Sequence, residues 1–540
     1  MNLWMDHLPV LPVLTPLLAG ALMLLTRDSQ RPLRVGLGAI SLTLQILAAL
    51  MLIRATQGIG GSLWPDDIGV YRLGNWPAPF GIVLVADRLS ALMLGLTAIL
   101  GLCAWIYSTA RWDRAGSHFH PLFQLQLMGL NGAFLAGDLF NLFVFFEILL
   151  TASYGLMLHG SGKRRVGAGL HYIGVNLIAS FLLLIAIALI YGLTGTLNLA
   201  DLSVRALALT GSDRQLFDSA AAILGVAFLI KAAAWPLNFW LPSAYAEACA
   251  PVAALFAIMT KVGIYALLRI GSLLLPAGAP AAFGGAWMFP AGIATLAFGT
   301  LGMLASTQPR RIAAYAIITS SGTLFAALGM PGVTLTGPAL YYLLSSVLAL
   351  GALLLLLELT ERSQSFGADI LAVTQETFDA DEPDTASLSE QAVGTPLPAT
   401  MAFLGLSFFA CALLIIGLPP LSGFVAKFSL LSAALRTAEF GAPTVNVWLL
   451  VTAMLGSGLA CLMALGRCGV RLFWIPEQLH VPTLKLNEII PIMVLLGACA
   501  ALTVQAGPAM IYLEDTAHYL DRPARYVQAV LGPATGALRP

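Results

Sequence analysis

The chain has 540 residues, of which 59% are apolar and 10% charged, and its 27 basic side chains balance 27 acidic ones. A soluble domain carries about 25% charged residues, so a soluble class is excluded. Zero net charge without a basic patch also excludes the electrostatic footprint of a nucleic-acid binder.

Stretches of roughly 20 apolar residues recur from end to end, each long enough to cross a bilayer as a helix. The first, Leu8 to Leu25, lacks a basic leader and a small-residue cleavage site, so it reads as a retained first helix. Fourteen spans are expected, with cores at 8–26, 33–53, 82–107, 121–137, 139–159, 168–192, 217–236, 246–270, 287–306, 311–330, 337–357, 399–418, 446–466 and 486–512. The class is all-α integral membrane. Between spans six and seven, the spaced leucines of residues 196–215 suggest a short interfacial helix. After span eleven, residues 358–398 hold nine acidic side chains against Arg362 alone, which reads as an acidic, solvated cytoplasmic loop, with docking to a partner protein of the same complex as the alternative. The apolar stretch Leu421 to Leu435 is short and reads as the second half of a broken twelfth span.

One set of alternate loops carries Arg27, Arg31 and Arg34, then Arg111 and Arg114, then Lys163, Arg164 and Arg165, then Arg310 and Arg311, then Arg467, Arg471 and Lys485. The opposite set carries chiefly Arg54, Arg72, Arg205, Arg214 and Arg436. Basic residues favour the cytoplasmic side, so the first set is expected there and both termini on the outer face. The six cysteines lie in or beside apolar runs with no metal or disulfide spacing, and read as small buried residues. The histidines fall in loops or beside them, without metal-ligand spacing.

The lysines carry the most information. There are five, and Lys231, Lys261 and Lys427 lie inside or beside breaks in apolar spans. An ammonium at the bilayer centre costs at least ~2.5–3.5 kcal/mol. A lysine near a helix end can snorkel to the interface, but Lys261 lies well within Val252–Leu268 and Lys231 has Phe217–Ile230 on one side. These positions point to conduction. Glu147, in the run Phe143 to Leu150, is a carboxylate in the same situation. It must be protonated, paired or hydrated, and pairing with a lysine of another span is the simplest solution. Asp138, nearer the short outer loop, reads as interfacial, and Asp87, at the start of span three, is ambiguous.

Two spans are broken near their lysines. Pro236 and Pro242 follow Lys231, and Gly417, Pro419, Pro420 and Gly423 precede Lys427. Proline removes a backbone donor, and freed carbonyls are tolerated at membrane depth only beside protein or a watery cavity. Broken spans at corresponding places in two halves of a chain mark transport sites. The breaks fall in spans seven and twelve, which suggests two five-helix repeats, spans 4–8 and 9–13. The expected division is N-terminal helices in 1–115, a first repeat in 116–270, a second in 285–470, and a final helix with tail in 471–540.

Together these segments resemble the antiporter-like family shared by Mrp antiporters and the membrane arm of respiratory complex I. The resemblance is carried by Phe146-Glu147, by Ile230-Lys231 through Pro242, by Pro251 through Lys261 to Tyr265, by Arg310-Arg311 to Tyr315, and by Gly417 through Lys427-Phe428. It implies a fourteen-helix fold with two inverted repeats, pairing of Glu147 with Lys231, and a proton relay Glu147, Lys231, Lys261, Lys427, with no cofactor.

This sequence departs from the family in two places. Ser320 stands where many relatives carry His or Gln, and span eleven reads Tyr341 to Gly351 with no titratable group but tyrosine. The central link is therefore expected to run through water and hydroxyls such as Tyr315, Ser320, Ser345 and Ser346. This altered span and the acidic segment after it resemble the D-type subunits of Mrp (Pha or Sha) antiporters. The resemblance implies a bacterial inner-membrane complex with A, B, C, E, F and G type subunits, exchanging Na+ or K+ for protons. The rival implication is a proton-pumping component of a complex I-like NADH-quinone oxidoreductase or membrane-bound hydrogenase. A second rival is a non-transporting scaffold.

Overall fold

The computed structural model describes residues 3–27, 30–57, 64–274, 287–377, 399–436, 444–474 and 484–532. A short helix, α1 (Leu3–Asp6), leads into α2 (Leu11–Leu25) and α3 (Arg31–Thr56). A hairpin of β1 (Gly69–Arg72) and β2 (Val83–Ala86) follows, with Gly69 opposite Ala86 and Arg72 opposite Val83. Then come α4 (Arg88–Ser108), α5 (Phe119–Leu135), α6 (Leu139–Met157), α7 (Lys163–Thr194), α8 (Leu199–Ala208), α9 (Gly211–Lys231), α10 (Leu241–Glu247) and α11 (Ala250–Leu274). The second half holds α12 (Met288–Ala305), α13 (Pro309–Leu328), α14 (Thr336–Thr377), α15 (Ala399–Ile416), α16 (Ser422–Arg436), α17 (Val445–Phe473), α18 (Leu486–Val504), α19 (Ala506–Leu520) and α20 (Pro523–Leu531).

Among the described residues, twelve helices are long and apolar enough to cross a membrane. The two other expected spans correspond to α5, which has 17 residues, and to α9, whose first turns are polar. The expected interfacial helix is α8, capped by the Asn198 side chain on the amides of Ala200 and Asp201. Asp87 and Asp138 cap α4 and α6, which explains carboxylates at those helix starts. The third span starts later than expected, because Val83–Ala86 is a strand tied to the α5–α6 turn by the Gly137 amide on the Val83 carbonyl.

Burial sorts the helices into a core and a rim. α11 is enclosed along its whole span and α14 along nearly all of Thr336–Arg362, while less than half of the spanning stretches of α3, α7 and α17 is covered. The exposed faces carry leucine, isoleucine and phenylalanine, as lipid requires. All six cysteines are buried free thiols. Helices α12 and α13 meet through glycines: a Cβ on Gly292 or Gly322 would overlap the backbone of the opposite helix at Ala326 or Leu296. Such small-residue contacts bring backbones together without a hydrophobic drive.

The loops expected on one face do meet at one end of the bundle. Arg31 binds Asp113 at 2.7 Å, Arg165 the Glu247 carbonyl at 2.7 Å, Arg310 Glu361 at 2.6 Å, and Arg467 the Leu304 carbonyl at 2.5 Å. The opposite end holds the described chain ends, with His7 against the Tyr71 ring and Arg72 on the Val530 carbonyl. The acidic segment differs from expectation. Helix α14 runs on to Thr377, and Glu358 is buried, accepting from Trp112 Nε1 at 2.7 Å beside Arg362 at 3.3 Å. Ion pairing, not solvation, accommodates that first acid. Residues 378–398 of the expected loop lie outside the described residues.

Candidate proton-relay site

Helix α11 places Lys261 eleven residues from Ala250 and thirteen from Leu274, about 16 and 20 Å of rise. Its side chain is 0% exposed, and Nζ donates to Ser321 Oγ on α13 at 3.1 Å. An ammonium has three donors, so this is a sparse seat for a charge.

Lys231 is the last residue of α9, where the helix breaks. Residues 232–240 form turns, with a cis Trp235–Pro236 bond and Ala233 at φ 56°. The break is satisfied from within, since the Trp235 amide donates to Thr295 Oγ1 at 2.8 Å. Gly263 lets it dock on α11: a Cβ there would lie 2.8 Å from the Phe228 carbonyl and 2.9 Å from Ala232. The contact brings the end of α9 level with the middle of α11, so Lys231 and Lys261 share a depth. Lys231 is 5% exposed, donates to Ser180 Oγ on α7 at 3.4 Å and lies 5.0 Å from the centre of the Phe146 ring.

The expected pairing of Glu147 with Lys231 is not a contact. Nζ is turned to Ser180 and Phe146, and Glu147 Oε1 is buried without a hydrogen-bond partner. Glu147 follows Phe146 on α6, and it is the Phe146 ring, not the carboxylate, that lies against the ammonium.

Beyond Lys261 the hydroxyls expected from sequence are largely assembled. Ser320 donates to Ser346 at 3.0 Å, and Ser345 and Ser422 share a hydrogen bond of 2.8 Å. Ser320, Tyr342, Ser345, Ser346 and Lys427 line one cavity of ≈ 20 Å³, enough for about one water. Tyr315 is not part of it; its ring packs on Phe298 and over Gly302.

Lys427 closes the row. Helix α15 ends at Ile416, and the cis Pro419–Pro420 bond lies in the gap before α16. The last carbonyls of a helix have no partner within it. Here Lys427 Nζ takes them, at 3.2 Å from the Ile415 oxygen and 2.7 Å from that of Ile416. A cation also complements the negative end of the helix dipole. Two glycines make the seat possible. Gly417 sits at φ 83°, and a Cβ there would lie 2.6 Å from Lys427 Cδ. At Gly423 a Cβ would overlap the Leu414 carbonyl.

Ser180, Ser321, Ser422 and Tyr342 escape sequence reasoning, because a hydroxyl in an apolar helix carries no signal of its partner. So does the buried pair of Asp87 and Arg269, bonded at 2.6 Å with the guanidinium over Tyr265 and Tyr526.

The family described as NADH:quinone oxidoreductase/Mrp antiporter, transmembrane, matches residues 136–459. The D-type component of a probable K+/H+ antiporter from Rhizobium meliloti is 51% identical over 99% of both chains. The D-type component of the Na+/H+ antiporter from Alkalihalophilus pseudofirmus is 32% identical over 98% of this chain and 100% of its own. Among solved structures, a chain of the Mrp complex from a Dietzia species superposes with a TM-score of 0.81 at 26% identity, covering 98% of this chain and 100% of that one.

Proposed function

Because the chain belongs to the NADH:quinone oxidoreductase/Mrp antiporter family, we propose that it is the D-type subunit of a multisubunit Na+ or K+/proton antiporter, carrying protons through a buried relay. It is a secondary-transporter component, not an enzyme. One observation carries the reading: three lysine amines lie among long apolar helices against hydroxyls and freed carbonyls, with a serine-lined cavity opening on Lys427. The full-length match to D-type antiporter components favours exchange over a redox-driven pump.

In the proposed relay, Glu147 acts through space to hold the charge on Lys231. Displacing Glu147 releases that hold, and the proton moves to Lys261. From there it passes by Ser321, Ser320, Ser346 and the serine cavity, which has room for about one water, to Lys427. Burial disfavours an isolated ammonium, so each lysine hands on its proton when its partners shift.

The repeats are assigned to spans 4–8 and 9–13, supported by a broken helix and a lysine at the fourth span of each. The membrane is taken as the bacterial inner membrane. The end where the arginine-rich loops meet is assigned to the cytoplasm, and the chain ends to the periplasm. The A, B, C, E, F and G type subunits are the expected partners.

The experiment is dissipation of a pH gradient in everted vesicles on adding Na+ or K+, with the complex complete or lacking this chain. Dissipation is expected with the complete complex alone. Equal dissipation without the chain overturns the reading.

A further inference from the structure

The N-terminal side of the bundle holds a second row of buried polar groups, which the lysine relay does not use. Asn131 of α5, 2% exposed, donates through Nδ2 to the Pro12 carbonyl of α2 at 2.8 Å and to Gln45 Oε1 of α3 at 2.9 Å. Gln45 Nε2 donates to Ser41 Oγ at 3.1 Å, and Ser41 donates to Gln124 Oε1 of α5 at 2.8 Å. One turn before Gln124, His120 stands beside Asp113, Nε2 to Oδ2 3.4 Å. Both line a cavity of ≈ 340 Å³ at the arginine-rich end, with Arg31 and Arg114.

Amide and hydroxyl bonds between helices act as adhesive in a membrane, and this accounts for the bonds that are made. It does not account for what is left over. Asn131 Oδ1, Gln124 Nε2 and His120 Nδ1 are buried without a hydrogen-bond partner. Each unpaired buried group costs ~1–3 kcal/mol, and these three leave polar capacity that the row itself does not fill.

The chemistry is most specific at Asn131. Two oxygens, from Pro12 and Gln45, converge within 2.9 Å of its single amide nitrogen. A half-turn of the amide brings Oδ1, now unpartnered, to the place of that nitrogen. Three neutral oxygens would then face one point, and a cation between them removes their repulsion. Divalent ions take carboxylates; neutral oxygens alone suit a partly dehydrated monovalent ion that must also leave. Asn131 lies four residues from the end of α5, about 6 Å of rise, and His120 about 16 Å deeper toward the arginine-rich end.

We propose that Asn131, Gln45 and the Pro12 carbonyl form a binding site for an alkali cation, Na+ or K+, from which Ser41, Gln124 and His120 are spaced toward the opposite face. This rests on the exchange reading above and assigns its second ion.

The test uses the full antiporter complex, in everted vesicles for exchange and purified for thermal unfolding in sodium, potassium or choline chloride. Asn131→Leu and Gln45→Leu are expected to raise the half-saturating Na+ or K+ concentration at least about tenfold, with the pH profile of exchange unchanged. They should also abolish the rise in Tm that the alkali salts give over choline. Gln45→Glu, which adds a charged oxygen, should lower the half-saturating concentration. Unchanged half-saturation in the leucine variants, with reduced rates alone, overturns the proposal and leaves the row as interhelical adhesive. If the leucine variants do not assemble, Gln45→Glu decides, and no tightening overturns the site. A wild-type complex that exchanges neither cation overturns the parent reading instead, while the Tm comparison still judges the site.

Discussion

Lys261 and Lys427, one in each half of the chain, are seated differently. Lys261 is fully enclosed and gives one hydrogen bond, to the rotatable hydroxyl of Ser321. Lys427 is partly buried and gives two, both to backbone carbonyls at the broken end of α15. A side-chain partner can turn away in a single rotamer change, whereas backbone oxygens move only with the helix. The proposed relay would thus be adjustable at its centre and anchored at its end.

The comparison is tested most severely by removing the central charges. Lys231→Ala and Lys261→Ala should each cut cation-dependent dissipation of the pH gradient by about 100-fold or more, some 2.7 kcal/mol, with unchanged amounts of the chain by immunoblot. Normal exchange in either would end the relay reading.

Gly417→Ala attacks the anchored end without touching a charge. Its methyl would strike Lys427 Cδ at a left-handed backbone position, displacing Nζ from the carbonyls. We expect about a tenfold loss of exchange, of order 1.4 kcal/mol. Wild-type rates would mean that the carbonyl seat is dispensable, and the contrast between the ends would disappear.

Ser321→Ala and Ser346→Ala sharpen the adjustable side. Each removes one hydroxyl link, worth ~1 kcal/mol, so several-fold slower exchange is expected, with a larger effect from Ser321, the direct partner of Lys261. Equal rates in both variants and wild type would show that protons bypass the serines.

The smallest effect concerns the scaffold. Burial raises the Asp113 carboxyl, but the His120 imidazole at 3.4 Å and the hydrogen-bonded Arg31 guanidinium at 2.7 Å outweigh it and hold the group below the usual carboxylate range. A lowered folded value means that the stabilisation is present at neutral pH and is lost as pH falls through that lowered value. Asp113→Asn should therefore destabilise the complex at neutral pH by about 1 kcal/mol, discounted for the partly exposed Arg31. The difference from wild type should vanish in strong acid, read as Tm against pH. A constant difference would show that the ion pair is not its source.

What the sequence reveals and conceals here follows from contrast. A lysine in an apolar run stands out, as do prolines beside it, so Lys231, Lys261, Lys427 and both breaks are legible. Serines are ordinary small residues in such helices, and Ser180, Ser321 and Ser422 gain meaning only from the side chain opposite. Arg269 and Asp87 are 182 positions apart and each looks like a stray interfacial charge until the fold joins them. The acids after span eleven mislead for a related reason. Composition alone says solvated, but Glu358 pairs with Arg362 one turn on and accepts from Trp112, which arrives from elsewhere in the chain. Glu147 stands out by the same contrast as the lysines, while its expected direct bond to Lys231 is an economy of charge that the Phe146 ring replaces.

The glycine seam between α12 and α13 has a mechanical consequence. With Gly292 and Gly322 interlocked against opposing backbone, neither helix can ratchet past the other by a turn without collision. The pair works as a stiff spar, and Ser321, the neighbour of one of those glycines, is mounted on it. Transport through this half would then resemble current along a fixed rail more than the rocking of a gate, with rotating hydroxyls as its moving parts.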